Sequence, residues 1–143
     1  MRYKVFVDTN ILLSGIFFGG NESRILDLVE IDLITSEDNV AELRKVIVKK
    51  LRYLKERPLE IALAEAEKAL GDIEVISQSK YSKKIKEASL LISHKKDIPI
   101  LAAVLAANPD YFLSGDTHFF TERVKHAVSV LSAKEFLEKI KRK

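Results

Sequence analysis

Residues 3–7 (YKVFV) form an almost unbroken apolar run rich in valine and aromatics, the pattern of a strand buried on both faces of a parallel sheet. Residues 22–30 (ESRILDLVE) then predict a helix with Ile25, Leu28 and Val29 on its apolar side, and a short strand follows at 32–34. Thr35 and Ser36 stand where an N-cap is needed. Beyond them Val40, Leu43, Ile47, Leu51 and Leu54 recur every three or four residues, predicting one long amphipathic helix. Pro58 opens the next helix, with Leu59, Ala62, Leu63, Ala66, Ala69 and Leu70 on one face and Gly71 as its stop. A brief strand at 73–76, a helix at 83–93 and the apolar helix ILAAVLAA, ending near Asn108-Pro109, come next. Residues 111–113 and 128–131 predict two more strands, the first followed at once by Ser114-Gly115-Asp116, and a helix from Ser132 closes the pattern. Strands and helices alternate throughout, which predicts an α/β fold with a mostly parallel sheet.

Composition narrows the chemistry more than the fold. With 143 residues, 47% hydrophobic and 31% charged, the chain suits one globular domain over residues 1–143. No apolar run approaches the roughly 20 residues needed to span a bilayer, and the one short apolar run in the start MRYKVFVDTN, closed by Asp8, is not expected to be a signal peptide. A cytoplasmic protein without a membrane partner is therefore expected. The absence of cysteine excludes disulfides, thiolate nucleophiles and cysteine zinc sites. The three histidines are scattered, so a histidine-rich metal site is not expected either, and any metal would be held by oxygen, which favours hard cations such as Mg²⁺ or Mn²⁺.

Net charge is only +3, which permits contact with nucleic acid without requiring it. The cationic residues Lys45, Lys49, Lys50, Arg52, Lys55 and Arg57 crowd into one stretch against the single acid Glu56. They make either a solvated helix face or a surface that tracks phosphates.

Two acids stand where ligand chemistry is expected. In open parallel sheets, ligands sit in the crevice beyond the carboxyl ends of the strands. Asp8 ends the first strand, and Asp116 follows the strand at 111–113 after a Ser-Gly turn. If those strands are neighbours, both carboxylates reach one sheet edge, where they repel unless a cation or proton intervenes. A divalent metal resolves that repulsion and suits phosphodiester hydrolysis. An aspartate after a strand also serves as an ordinary cap, so both readings stand. Asp97, ahead of Ile98-Pro99, reads as a helix cap, and Glu42, off the apolar stripe of its helix, reads as a solvent-facing residue.

Four segments carry a family likeness: VFVDTNILLSG at 5–15, SEDNVAELRKVI at 36–47, DIPILAAVLAANPDYFLSGD at 97–116 and VSVLSAKEFLE at 128–138. In these motifs, their order and their spacing the chain resembles the PIN-domain family, particularly the prokaryotic PIN proteins that serve as toxin components of toxin–antitoxin pairs. The resemblance implies a three-layer α/β/α sandwich with a central sheet of four to five strands. It also implies an acidic quartet of Asp8, Glu42, Asp97 and Asp116 that binds Mg²⁺ or Mn²⁺ and cleaves single-stranded RNA, leaving 5′-phosphate and 3′-hydroxyl ends. On that reading Asp8, Asp97 and Asp116 are metal ligands, and Glu42 binds a second metal or orients the attacking water. Asn10 and Ser114 would hold the carboxylates by hydrogen bonds, as outer partners of metal ligands do. An antitoxin protein and a homodimeric partner are further implications.

His118, beside the last acid, is a possible proton shuttle or simply an exposed loop residue, and His94 and His126 carry no functional claim. The pairs Phe17-Phe18 and Phe119-Phe120 could stack bases or pack in a core or an interface. Three other functions compete. A phosphohydrolase of haloacid-dehalogenase type needs a second acid two residues after its nucleophile, and position 10 is Asn. A non-catalytic RNA-binding or regulatory module would use the same fold and the basic stretch. An RNA-processing nuclease would act without an antitoxin.

Overall fold

The computed structural model describes residues 2–51 and 58–141. Its centre is a five-stranded, all-parallel sheet built from β1 (Tyr3–Val7), β2 (Ile31–Ser36), β3 (Glu74–Ile76), β4 (Tyr111–Leu113) and β5 (Val130–Leu131), in the spatial order β3-β2-β1-β4-β5. The chain builds outward from β1 through β2 to β3, then returns to the other side of β1 to lay down β4 and β5. The order therefore reverses between β1 and β4, and the crevice at their carboxyl ends is the ligand position of such sheets.

Helices cover both faces, because parallel strands joined by crossovers must be buried on both sides. Side chains alternate along β1: Val5 and Val7 enter one core and Phe6 the other, all fully buried. The first core takes Leu12 of α1 (Thr9–Phe17), Ile25 of α2 (Asn21–Leu26), Val40 and Leu43 of α3 (Glu37–Val46), and Ala62 and Ala66 of α4 (Leu59–Leu70). The second core takes Tyr81 of α5 (Gln78–Tyr81), Ala88 of α6 (Ile85–Leu91), Leu101 to Val104 of α7 (Ile98–Ala107) and Val124 of α8 (Glu122–Ala127). Phe136 of α9 (Ala133–Lys141) returns to the first core. The expected three-layer α/β/α sandwich is what forms, and among the described residues no helix is long and apolar enough to cross a membrane.

Several local expectations change. The helix at 22–30 ends at Leu26, so Leu28 packs only partly and Val29 lies outside the core, 77% exposed. The long helix keeps its α geometry to Val46 and then passes into a π-helical turn, Ile47–Leu51. Lys45, Lys49 and Lys50 of the basic stretch are exposed, whereas Arg52, Leu54, Lys55, Glu56 and Arg57 lie outside the described residues. Gly71 does follow the last residue of α4, yet in a right-handed conformation (φ −59°), while Asn108 ends α7 in the left-handed one (φ 47°), which asparagine tolerates better than most residues. Phe119 belongs to the second core and Phe120 packs against it; Phe17 packs against the first core, and Phe18 is half exposed.

One contact in the first core has a direct test. A Cβ on Gly15 in α1 would lie 2.5 Å from Leu26 Cδ1 and 3.0 Å from the Glu22 carbonyl oxygen of α2. Gly15→Ala must therefore displace the Leu26 side chain and press on the backbone of α2 at Glu22. Urea unfolding is expected to show a loss of about 1–3 kcal/mol, the usual cost of overpacking, despite the better helix propensity of alanine.

Candidate active site at the sheet switch point

β1 and β4 pair in register, with Val7 opposite Leu113, so Asp8 and Ser114 leave the sheet side by side. The Ser114 hydroxyl lies 2.5 Å from Asp8 Oδ2 and accepts the Asp116 backbone N–H at 3.0 Å. Asp116 Oδ1 in turn accepts the His118 N–H at 2.9 Å, and His118 Nδ1 lies 2.8 Å from Asp97 Oδ2. A continuous hydrogen-bonded chain thus links Asp8, Ser114, Asp116, His118 and Asp97.

Asp8 and Asp116 cap as well. Asp8 Oδ1 accepts the Ile11 N–H at the start of α1, and Asp116 caps the 3₁₀ turn Thr117–Phe119. Capping and site chemistry coexist because a carboxylate offers about four lone-pair positions. Asp97 departs from its expected role: although it precedes α7, its side chain makes no capping bond and its Oδ2 turns to His118 and His94 instead. Glu42 is exposed, as periodicity predicts, and still faces the site. Asp8, Thr9, Asn10, Glu42, Asp97 and Asp116 line one cleft of about 190 Å³, with His94 and Lys96 at its wall. All four expected acids meet there. The Ser114 hydroxyl donates to the Asp8 carboxylate; Asn10 lines the cleft, but its side chain makes no hydrogen bond among the described residues.

Asp8 and Asp97 are each only 4% exposed. Burial raises the Asp8 pKa to about 6; the bonds from Ser114 and Ile11 oppose the shift, and the charges of Asp116 and Glu42 add to it. No cationic side chain bonds this carboxylate among the described residues, and it sits among oxygen donors that suit a hard divalent cation. The chemistry of this donor set fits Mg²⁺ or Mn²⁺: the carboxylates of Asp8 and Asp97 are buried and that of Asp116 is half-buried.

Sequence reading missed two features. One is a buried polar network behind the site. The Thr35 hydroxyl donates to the Val7 carbonyl at 2.8 Å and accepts from Asn39 Nδ2 at 3.2 Å, while the Thr9 hydroxyl donates to Asn39 Oδ1 at 3.2 Å. Ser36, read as an N-cap, accepts the Asn39 N–H. The network fastens the start of α3 to the ends of β1 and β2, one turn before Glu42. Asn39→Ala would remove the amide that joins the Thr9 and Thr35 hydroxyls, leaving Thr35 its bond to the Val7 carbonyl and Thr9 a long 3.4 Å contact with the Asn39 carbonyl. Thermal unfolding is expected to show a loss of about 1–2 kcal/mol. The second feature is the meeting of His94 with His118, whose rings stack with centroids 4.4 Å apart. Their distance in sequence hid it.

Residues 6–141 match the PIN domain family. The chain belongs to the PIN-domain family. Among solved structures this PIN domain is similar to PAE2754 from Pyrobaculum aerophilum, at 10% identity and a TM-score of 0.69 over 100% of this chain and 98% of that one. It is similar to VapBC2 from Rickettsia felis, solved bound to a DNA fragment from its promoter, at 18% identity and a TM-score of 0.63 over 90% and 98% of the two chains. A toxin–antitoxin complex from Klebsiella pneumoniae aligns at 19% identity and a TM-score of 0.59 over 90% and 97%. At such identities the likeness is one of fold. No curated protein matches by sequence.

Proposed function

We propose that this PIN domain is a divalent-metal-dependent endoribonuclease that hydrolyses phosphodiester bonds of single-stranded RNA and acts in the cytoplasm as the toxin of a toxin–antitoxin pair. The observation that carries the reading is the meeting of Asp8, Glu42, Asp97 and Asp116 on one cleft at the switch point of a PIN-domain sheet. Likeness in fold to the Klebsiella pneumoniae toxin–antitoxin complex supports the toxin role. An antitoxin protein and a second copy of the chain are the proposed partners.

Asp8, Asp97 and Asp116 would hold Mg²⁺ or Mn²⁺. Such an ion, when bound, lowers the pKa of a coordinated water and neutralises charge building on the phosphate. The remaining work falls to the chain. Ser114 and the Ile11 N–H fix both oxygens of Asp8, so the carboxylate needs little reorganisation. Glu42, the most open of the acids, is placed to orient a water for in-line attack on phosphorus or to help hold a second ion. Lys96 at the cleft wall offers a positive charge to the substrate phosphate. The expected products carry 5′-phosphate and 3′-hydroxyl ends.

Incubation with single-stranded RNA, double-stranded RNA and single-stranded DNA in Mg²⁺ or Mn²⁺ tests the substrate class. Internal cuts confined to single-stranded RNA are expected. Binding without cleavage in every metal would favour a regulatory RNA-binding module.

A further inference from the structure

We propose that His94, Asp97 and His118 form a binding site for a transition-metal ion of the zinc class, separate in chemistry from the oxygen-only cation site and sharing Asp97 with it. One ligand atom from each residue lies within 4.8 Å of the other two. Asp97 Oδ2 is 2.8 Å from His118 Nδ1 and 3.3 Å from His94 Nδ1. Two bonds of roughly 2.0–2.1 Å at a tetrahedral ion separate neighbouring ligand atoms by roughly 3.3 Å. The His94 spacing already has that value, and the His118 ring needs to retreat by about half an ångström.

Backbone turns set the three residues in place. The Asp97 N–H bonds the His94 carbonyl at 3.0 Å, closing a tight turn that brings their side chains together. His118 sits on the 3₁₀ turn capped by Asp116. Asp97 is nearly fully buried, makes no capping bond and directs its carboxylate at the two imidazoles. Both imidazoles are about half exposed, which leaves an ion a route in and a place for water as fourth ligand. Asp116 Oδ1, 3.3 Å from His118 Nδ1, is the nearest alternative to that water. Two imidazoles and one carboxylate favour Zn²⁺ over Mg²⁺, which takes oxygen ligands and gives up its water reluctantly.

The test is zinc affinity of the full chain by competition with a chromogenic zinc indicator in excess Mg²⁺, with Co²⁺ as a spectroscopic stand-in. One equivalent of Zn²⁺ is expected, and Co²⁺ should give visible absorption of the intensity that marks fewer than six ligands. His94→Ala and His118→Ala should each weaken zinc binding by at least about tenfold. His126→Ala should leave it unchanged, because His126 is exposed and lies outside the cluster, its Nδ1 2.9 Å from the Glu122 carbonyl. Circular dichroism of the two variants keeps folding apart from binding. No zinc retained over Mg²⁺, or an affinity indifferent to both substitutions, would overturn the site. Binding is read without RNA: a chain that holds zinc and cuts nothing keeps this site and loses the proposed activity, and one that cuts RNA but holds no zinc does the reverse.

Discussion

Asp8→Asn is expected to lower RNA cleavage by about 10³-fold or more while making the EDTA-treated protein more stable at pH 7.5. Both effects have one cause. Asp8 is buried beside Asp116 and Glu42, and its pKa rises from 3.8 unfolded to about 6 in the fold. A group with a raised folded pKa takes up a proton on folding. Its ionised form therefore costs stability above pH 6; that cost shrinks as pH falls through the window from about 6 to 3.8 and vanishes below it. The cost at pH 7.5 is on the order of 2–3 kcal/mol. Asparagine keeps the oxygen that accepts the Ile11 N–H and carries no charge, so its melting temperature should rise by roughly 5–10 °C. The gain should disappear near pH 4. A variant less stable than wild type at pH 7.5 would mean that capping by the carboxylate outweighs its desolvation.

The second large effect is stabilisation by the metal itself. An ion that binds only the folded protein adds about 2.7 kcal/mol at a hundred times its Kd. Mg²⁺ titrated into the wild-type chain at pH 7.5 should raise the melting temperature by several degrees. Ligand carboxylates must be ionised to bind, so the rise should fade as pH drops below the Asp8 pKa of about 6. Asp8→Asn should lose most of it at every pH. Mg²⁺ is the diagnostic ion because the imidazoles of His94 and His118 contribute little to its binding. A melting temperature indifferent to Mg²⁺ at pH 7.5 would remove the hard-cation site.

The parts of the site legible in the sequence are those fixed by strand ends. Asp8 and Asp116 follow short apolar runs that read as buried strands, and once those strands are neighbours both acids reach one sheet edge. Glu42 and Asp97 depend on tertiary placement. Glu42 is exposed on its helix, and only docking of α3 through the Thr9–Thr35–Asn39 network aims it at the cleft. Asp97 has the sequence context of a cap, and its side chain leaves that role because His118, brought in by β4, offers a partner at 2.8 Å. The histidine cluster was illegible for the same reason, since two tight turns from separate crossovers create it. In the fold, α1 was missed because TNILLSGIF is apolar on nearly every side and carries little helical periodicity, and α8 because six residues are too few to show one.

Cleavage of single-stranded RNA by the wild-type chain in Mn²⁺, after EDTA, and after restoring Mn²⁺, with Asp8→Asn alongside, tests the central claim most directly. The account predicts internal cuts that stop with EDTA, return with Mn²⁺ and are absent from the variant. Cutting that persists through both EDTA and the substitution would contradict it.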